Sequence, residues 1–133
     1  MKILLAMATA LLFVSCNMLT DSAEKKYKSN VKDQMVSLTK IKLLEVAKST
    51  EVYFADCGKY PKTLNDLKTK PDDCSNWGPT AYMSADRAFQ DAWGSDIRYT
   101  NMGDSYQLIS LGADKATGGT DSNSDIIHKG GYK

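Results

Sequence analysis

Three aspartates near the C-terminus are the residues of this chain best suited to a defined chemistry. Asp114, Asp121 and Asp125 fall within SLGADKATGGTDSNSDI, residues 110–126, with Lys115 the one basic side chain among them. Gathering these carboxylates is repulsive unless a cation sits between them. Calcium is the hard ion that accepts carboxylates and main-chain carbonyls together in flexible geometry, and Gly112, Gly118 and Gly119 permit the turns that aim carbonyls inward. The spacing DSNSD at 121–125 shares the opening of an EF-hand loop. It then departs, with Ile126 where that loop needs glycine and Tyr132 where it needs glutamate. Aspartates acting only as turn formers in a solvated loop are the competing reading of the same residues.

Other chemistries find little material. His128 is the only histidine, so no zinc site of several imidazoles can be assembled, and no GxSxG elbow accompanies it for a hydrolase triad. Glycosidase work needs a spaced carboxylate pair, whereas the acids here share one loop. No phosphate-cradling glycine loop is present, and a formal net charge of +1 offers no footprint for nucleic acid. The expectation is a protein that is not an enzyme, with His128 on the surface of a glycine-rich tail.

The cysteines carry the remaining chemistry. Lys2 followed by the apolar stretch from Ile3 to Val14 reads as a secretory signal, too short to span a bilayer comfortably. Leu12, Phe13, Val14, Ser15 and Cys16 resemble a bacterial lipobox, which makes Cys16 the expected lipidated first residue of the mature chain; an ordinary cleavable signal, with Cys16 upstream of the cut or free, is the alternative. The anchor then binds through its acyl chains, about 0.8 kcal/mol per buried methylene. Of three cysteines, Cys57 and Cys74 are left as an even pair in an exported chain. A bridge between them closes about 16 residues and contributes on the order of 3 kcal/mol in the chain-entropy model; two free buried thiols are the alternative.

These residues need elements to hold them. From about Ser22 to Ala55 there is neither proline nor glycine, and Val31, Met35, Leu38, Ile41, Leu44, Val46, Ala47, Tyr53 and Phe54 recur mostly at three- and four-residue steps. That spacing predicts one long amphipathic helix reaching roughly 50 Å. Its many lysines read as a wet face, or as contacts to anionic headgroups. Asp56, Cys57 and Gly58 stop it. Thr63 to Asp66 predict the start of a short helix through Lys68. A loop follows at 71–79, and the pattern over 82–89 favours no element. A short strand is expected over 97–100, a turn at 102–104, and then an alternating strand with Tyr106, Leu108 and Ser110 on one face. The division expected is 1–15 signal, 16–30 tether and 31–133 a single globular domain.

Three segments resemble the major pseudopilin of type II secretion, the general secretion pathway protein G family. They are YFADCGKYP at 53–61, DAWGSDIRY at 91–99, and the aspartate loop at 110–126. The resemblance covers about residues 31–127. It implies a pilin-like α+β fold, a long helix packed on a small antiparallel sheet, and calcium held by the carboxylates of Asp114 and Asp125 and by main-chain oxygens of Leu111, Thr120 and Ser122. Two departures accompany it. The class III leader, with glycine before phenylalanine and a glutamate five residues into the mature helix, is not found, and Ala92 stands where the family has proline. The expectation is therefore a non-enzymatic lipoprotein of the bacterial cell envelope, held to the membrane by lipid on Cys16 and facing the periplasm or exterior. It would act through contacts with other envelope or secretion-system proteins, as an accessory to type II secretion, or as a homo-oligomer, and not on nucleic acid. The alternative is a genuine filament subunit of a type II secretion or type IV pilus system.

Overall fold

The structure, a computed structural model, describes the backbone of residues 2–131 and the side chains of residues 21–131. In order, it contains α1 (Lys2–Cys57), a 3-10 helix (Leu64–Leu67), β1 (Arg98–Asn101), β2 (Ser105–Ser110), a second 3-10 helix (Asp121–Asn123) and β3 (Ile126–Gly131). Two compact units divide the chain, 1–34 and 35–133. The tether expected at 16–30 is helical, because no residue there breaks the run that begins at Lys2. The lipid site expected at Cys16 lies outside the residues whose side chains are described. In the first unit the pairs Asp21–Lys25 and Glu24–Lys28 support the helix at i,i+4 spacing. The acid lies N-terminal to the base, the better orientation, but pairs so exposed contribute only about 0.3–0.5 kcal/mol each.

In the second unit α1 buries Thr39, Leu43, Val46, Ala47, Thr50 and Tyr53. Val46, Ala47 and Tyr53 belong to the stripe the apolar spacing predicts, but the rest of that stripe is not the buried face. Leu38, Ile41 and Leu44 are 45%, 53% and 48% exposed, and two threonines stand on the buried side instead. Both are satisfied, one within the helix and one across the fold: Thr50 Oγ1–H donates to the Val46 carbonyl at 2.8 Å, and Thr39 Oγ1 accepts the Ala92 N–H at 3.1 Å. A short polar side chain with a partner costs little to bury, so hydrophobic periodicity alone does not find this face.

The helix ends as expected, with Gly58 at φ 69° and its N–H on the Phe54 carbonyl at 2.8 Å. The short helix predicted from Thr63 forms as 3-10, with Asp66 Oδ2 accepting from the N–H groups of Lys62 and Thr63. The sheet is three-stranded and antiparallel in the order β1-β2-β3. Register pairs Tyr99 with Leu108 and Leu108 with His128. The central strand alternates as its sequence predicts, with Tyr106, Leu108 and Ser110 buried. β3 is a strand that local pattern does not announce. His128 lies in it, half-buried, with its ring 6.4 Å from that of Tyr106, and not in an exposed tail. Gly130 faces Tyr106 across the sheet, where a Cβ would run into the phenol ring.

The core joins Leu43, Val46, Ala47 and Tyr53 of α1 to Tyr60, Leu64, Leu67, Ile97, Tyr106 and Leu108. Each fully buried leucine is worth about 1.5–3 kcal/mol. Residues 68–97 run without helix or ladder strand, with one isolated bridge between Gln90 and Asp96. The bridge expected between Cys57 and Cys74 is formed.

Candidate metal-binding loop

Residues 111–125 join the paired strands β2 and β3. The strand ladder brings their ends together, so the connection must fold back on itself. Ala113 N–H donates to the Ser122 carbonyl at 2.9 Å, and Asp125 N–H to the Gly118 carbonyl at 3.1 Å. The 3-10 turn is closed by Asn123 N–H on the Thr120 carbonyl and Ser124 N–H on the Asp121 carbonyl. Gly112 and Gly119 make this possible. Both have positive φ, 70° and 83°, and a Cβ on either would enter the main chain at Asn123. Only glycine meets both demands.

The foot of the loop is set from outside it. Asp91 is 3% exposed. Its Oδ1 accepts the N–H groups of Trp93 at 3.0 Å and Ser95 at 2.8 Å, closing the Asp-Ala-Trp-Gly turn, and its Oδ2 accepts the Ser110 hydroxyl at 2.7 Å. Ser110 Oγ in turn accepts the Gly112 N–H at 3.3 Å. Asp91 thus orients the start of the loop through one serine. The sequence marks this segment as a turn and does not reveal that role; its only signal is an aspartate three residues before a glycine and nineteen before a strand-end serine.

The three aspartates differ in their surroundings. Asp114 is exposed, with Oδ1 accepting the Ala116 N–H at 3.0 Å. Asp121 is exposed at φ 53° within the 3-10 turn. Among the described residues no group of three histidine, cysteine, aspartate or glutamate side chains is placed to hold a metal ion, so the three-aspartate gathering is not made. Asp125 is different. Its Oδ1 is buried and has no hydrogen-bond partner, and a desolvated carboxylate oxygen without a donor carries a penalty of about 1–3 kcal/mol or more. Ser122 is buried, while Thr120 is exposed and Leu111 half-buried. The Thr120 and Ser122 carbonyls each accept one hydrogen bond and keep a second lone pair. The donor set is all oxygen, one of them orphaned, and it fits a hard cation. Asp114, Asp125 and the three carbonyls are the residues that would hold calcium, whose contribution is to cancel the carboxylate charge.

A family model described as Type II secretion system (T2SS), protein G matches residues 26–129. The type II secretion system core protein G of Xanthomonas campestris pv. campestris is 39% identical over 96 residues, which cover 70% of this chain and 65% of that protein. The protein of the same description from Pseudomonas aeruginosa is 31% identical over 99 residues, 68% of each. The chain thus spans slightly less than two thirds of the Xanthomonas protein's length. The crystal structure of the major pseudopilin from the type 2 secretion system of enterohaemorrhagic Escherichia coli superposes with a TM-score of 0.59, covering 74% of this chain and 89% of that one. At 24% identity this is a likeness of fold. With the match reaching from the lysine-rich part of α1 through the sheet and the aspartate loop, the chain belongs to the type II secretion system protein G family.

Proposed function

We propose that this chain is a filament subunit of a bacterial type II secretion system, a pseudopilin that works by packing against copies of itself and other envelope components, with no catalytic step. The reading is carried by the family match over residues 26–129. It is supported by the helix face that this fold leaves uncovered, where Leu38, Ile41, Leu44 and Val52 are all 45% exposed or more. Four large apolar side chains on one helix are more than scattered surface hydrophobics require, and they suit a packing face. The accessory lipoprotein expected first gives way to the filament subunit expected second, because the matched relatives are core components. Among the described residues no helix is long and apolar enough to cross a membrane.

Lipid on Cys16 is a separate proposal, resting on the lipobox-like residues alone. Mass spectrometry of the native N-terminus separates the two: a diacylglyceryl group on Cys16 supports the lipoprotein, a methylated N-terminal residue on an uncut apolar helix the filament subunit. For assembly, the chain in the envelope of a host with its own secretion apparatus, treated with a bifunctional amine-reactive reagent that joins the exposed lysines of α1, is expected to give a ladder of covalent multimers. A chain that stays monomeric there overturns the proposal. Calcium at Asp114 and Asp125 is proposed as the device that orders residues 111–125. Melting with and without chelator tests it, and an unchanged Tm counts against it.

A further inference from the structure

Residues 70–81 are held to the rest of the domain almost wholly through side chains. Their backbone–backbone hydrogen bonds close inside the segment, Cys74 N–H on the Pro71 carbonyl and Trp77 N–H on the Cys74 carbonyl, both at 3.4 Å, long for an amide bond. The outward ties are the Cys57–Cys74 disulfide, Asp73 with Lys59 at 2.7 Å and Lys62 at 2.8 Å, Trp77 Nε1–H on the Asp66 carbonyl at 2.9 Å, Gly78 N–H on the Tyr82 hydroxyl at 2.9 Å, and the Trp77 ring, which packs edge-on to Tyr82 at 5.3 Å and against the core. Lys59, Lys62 and Asp73 are a third or more exposed, and ion pairs of that kind contribute little. The covalent bond and the Trp77 anchor are therefore the main ties, and only the first responds to redox state. The most deeply buried residues of the core come from elsewhere: Val46, Tyr53, Tyr106 and Leu108 are all at most 1% exposed and belong to α1 and β2.

We propose that the Cys57–Cys74 bond is a redox latch for this segment. Closed, it fixes residues 70–81 over the C-terminal end of α1; open, it frees them to sample detached states while the helix and sheet stay folded, a local opening of the kind domains show below their global unfolding free energy. Closing is thiol–disulfide exchange with an oxidised dithiol protein of an extracytoplasmic compartment. One cysteine thiolate attacks the acceptor's disulfide, the second thiolate displaces it from the mixed disulfide, and two electrons and two protons leave on the acceptor as its dithiol. Cys74 is 2% exposed once packed, so the bond is shielded after closure and the latch is set once, during folding after export. The surface formed by residues 70–81 then exists only on exported chains.

The test refolds the full chain in detergent twice, once with an oxidant and once with both thiols held reduced by a phosphine, with thiol titration confirming each state. Amide hydrogen exchange is followed at residues 72–78 and at Tyr106 and Leu108. The latch predicts at least tenfold faster exchange at 72–78 in the reduced protein and less than a twofold change in β2. The Cys57→Ser/Cys74→Ser double variant should match the reduced chain. Equal exchange at 72–78 in both states overturns the proposal. So does a parallel acceleration in β2, or a reduced chain that does not refold, since either makes the bond a staple of the whole fold.

Discussion

Asp125 is where the loop's chemistry concentrates, because its buried Oδ1 lacks a partner and a cation is what would complete it. Calcium bound at a hundred times its Kd would stabilise the folded state by about 2.7 kcal/mol. We expect Asp125→Asn to abolish the calcium-dependent rise in Tm, while raising or leaving unchanged the Tm measured in chelator, since an amide at that unpaired position can donate as well as accept. A chelator-insensitive wild type, or a variant that keeps the rise, defeats this. Asp91 works differently. Asp91→Ala strands two N–H groups and the Ser110 hydroxyl without their acceptor, which should cost about 3 kcal/mol in denaturant unfolding whether or not calcium is present. The loop is legible in the sequence because glycines and carboxylates alternate there. That Asp121 turns outward is not, since its place depends on a 3-10 turn that spacing does not encode. Asp91's reach to Ser110 joins residues far apart in the chain, which no local pattern reports.

At the level of elements, α1, its stop at Gly58, the Thr63 turn and β2 can be read from local pattern, because each is decided by neighbours a few residues away. β3 cannot, since IIHKGG lacks alternation and ends in two glycines; it becomes a strand because β2 offers it an edge and Tyr106 fills the space over Gly130. Residues 68–97 hold by cross-links whose partners lie elsewhere, and Asp73 shows how pH enters. Hydrogen bonds from Lys59 first and Lys62 second hold its carboxyl down to about 2, from an ordinary 3.8. The folded pKa is lowered, so the ion-pair contribution is complete above about pH 4 and is lost as pH falls through about 2. Trp77 fluorescence of the oxidised protein should therefore change between about pH 4 and 2, and the step should vanish in Asp73→Asn. An identical acid transition in that variant would show that other carboxylates govern the segment.

For the whole molecule, the two faces of α1 in the second unit have different surroundings, and under the proposed function they divide folding from assembly. The face of Leu43, Val46 and Tyr53 is consumed by the core, whereas Leu38 and Ile41 are left about half exposed. Sequence periodicity counts both faces as one stripe, because a helix that is apolar on two sides gives the same three- and four-residue steps as a helix with one broad side. The distinction matters for mutation. Surface substitutions away from caps and buried polar groups usually change stability by no more than about 0.5 kcal/mol, whereas a charge at the centre of a packed subunit interface is left desolvated and unpaired, at a cost of several kcal/mol. The double variant Leu38→Asp/Ile41→Asp should therefore keep the wild-type Tm and disulfide, yet lose multimers in the envelope assay with the amine-reactive cross-linker. Core burial is untouched by that pair, so the control is Leu43→Ala. It should lower Tm through an internal cavity costing about 2–5 kcal/mol and leave whatever chain still folds able to form multimers. Should the charged double variant assemble like the wild type, the uncovered face is not where copies meet.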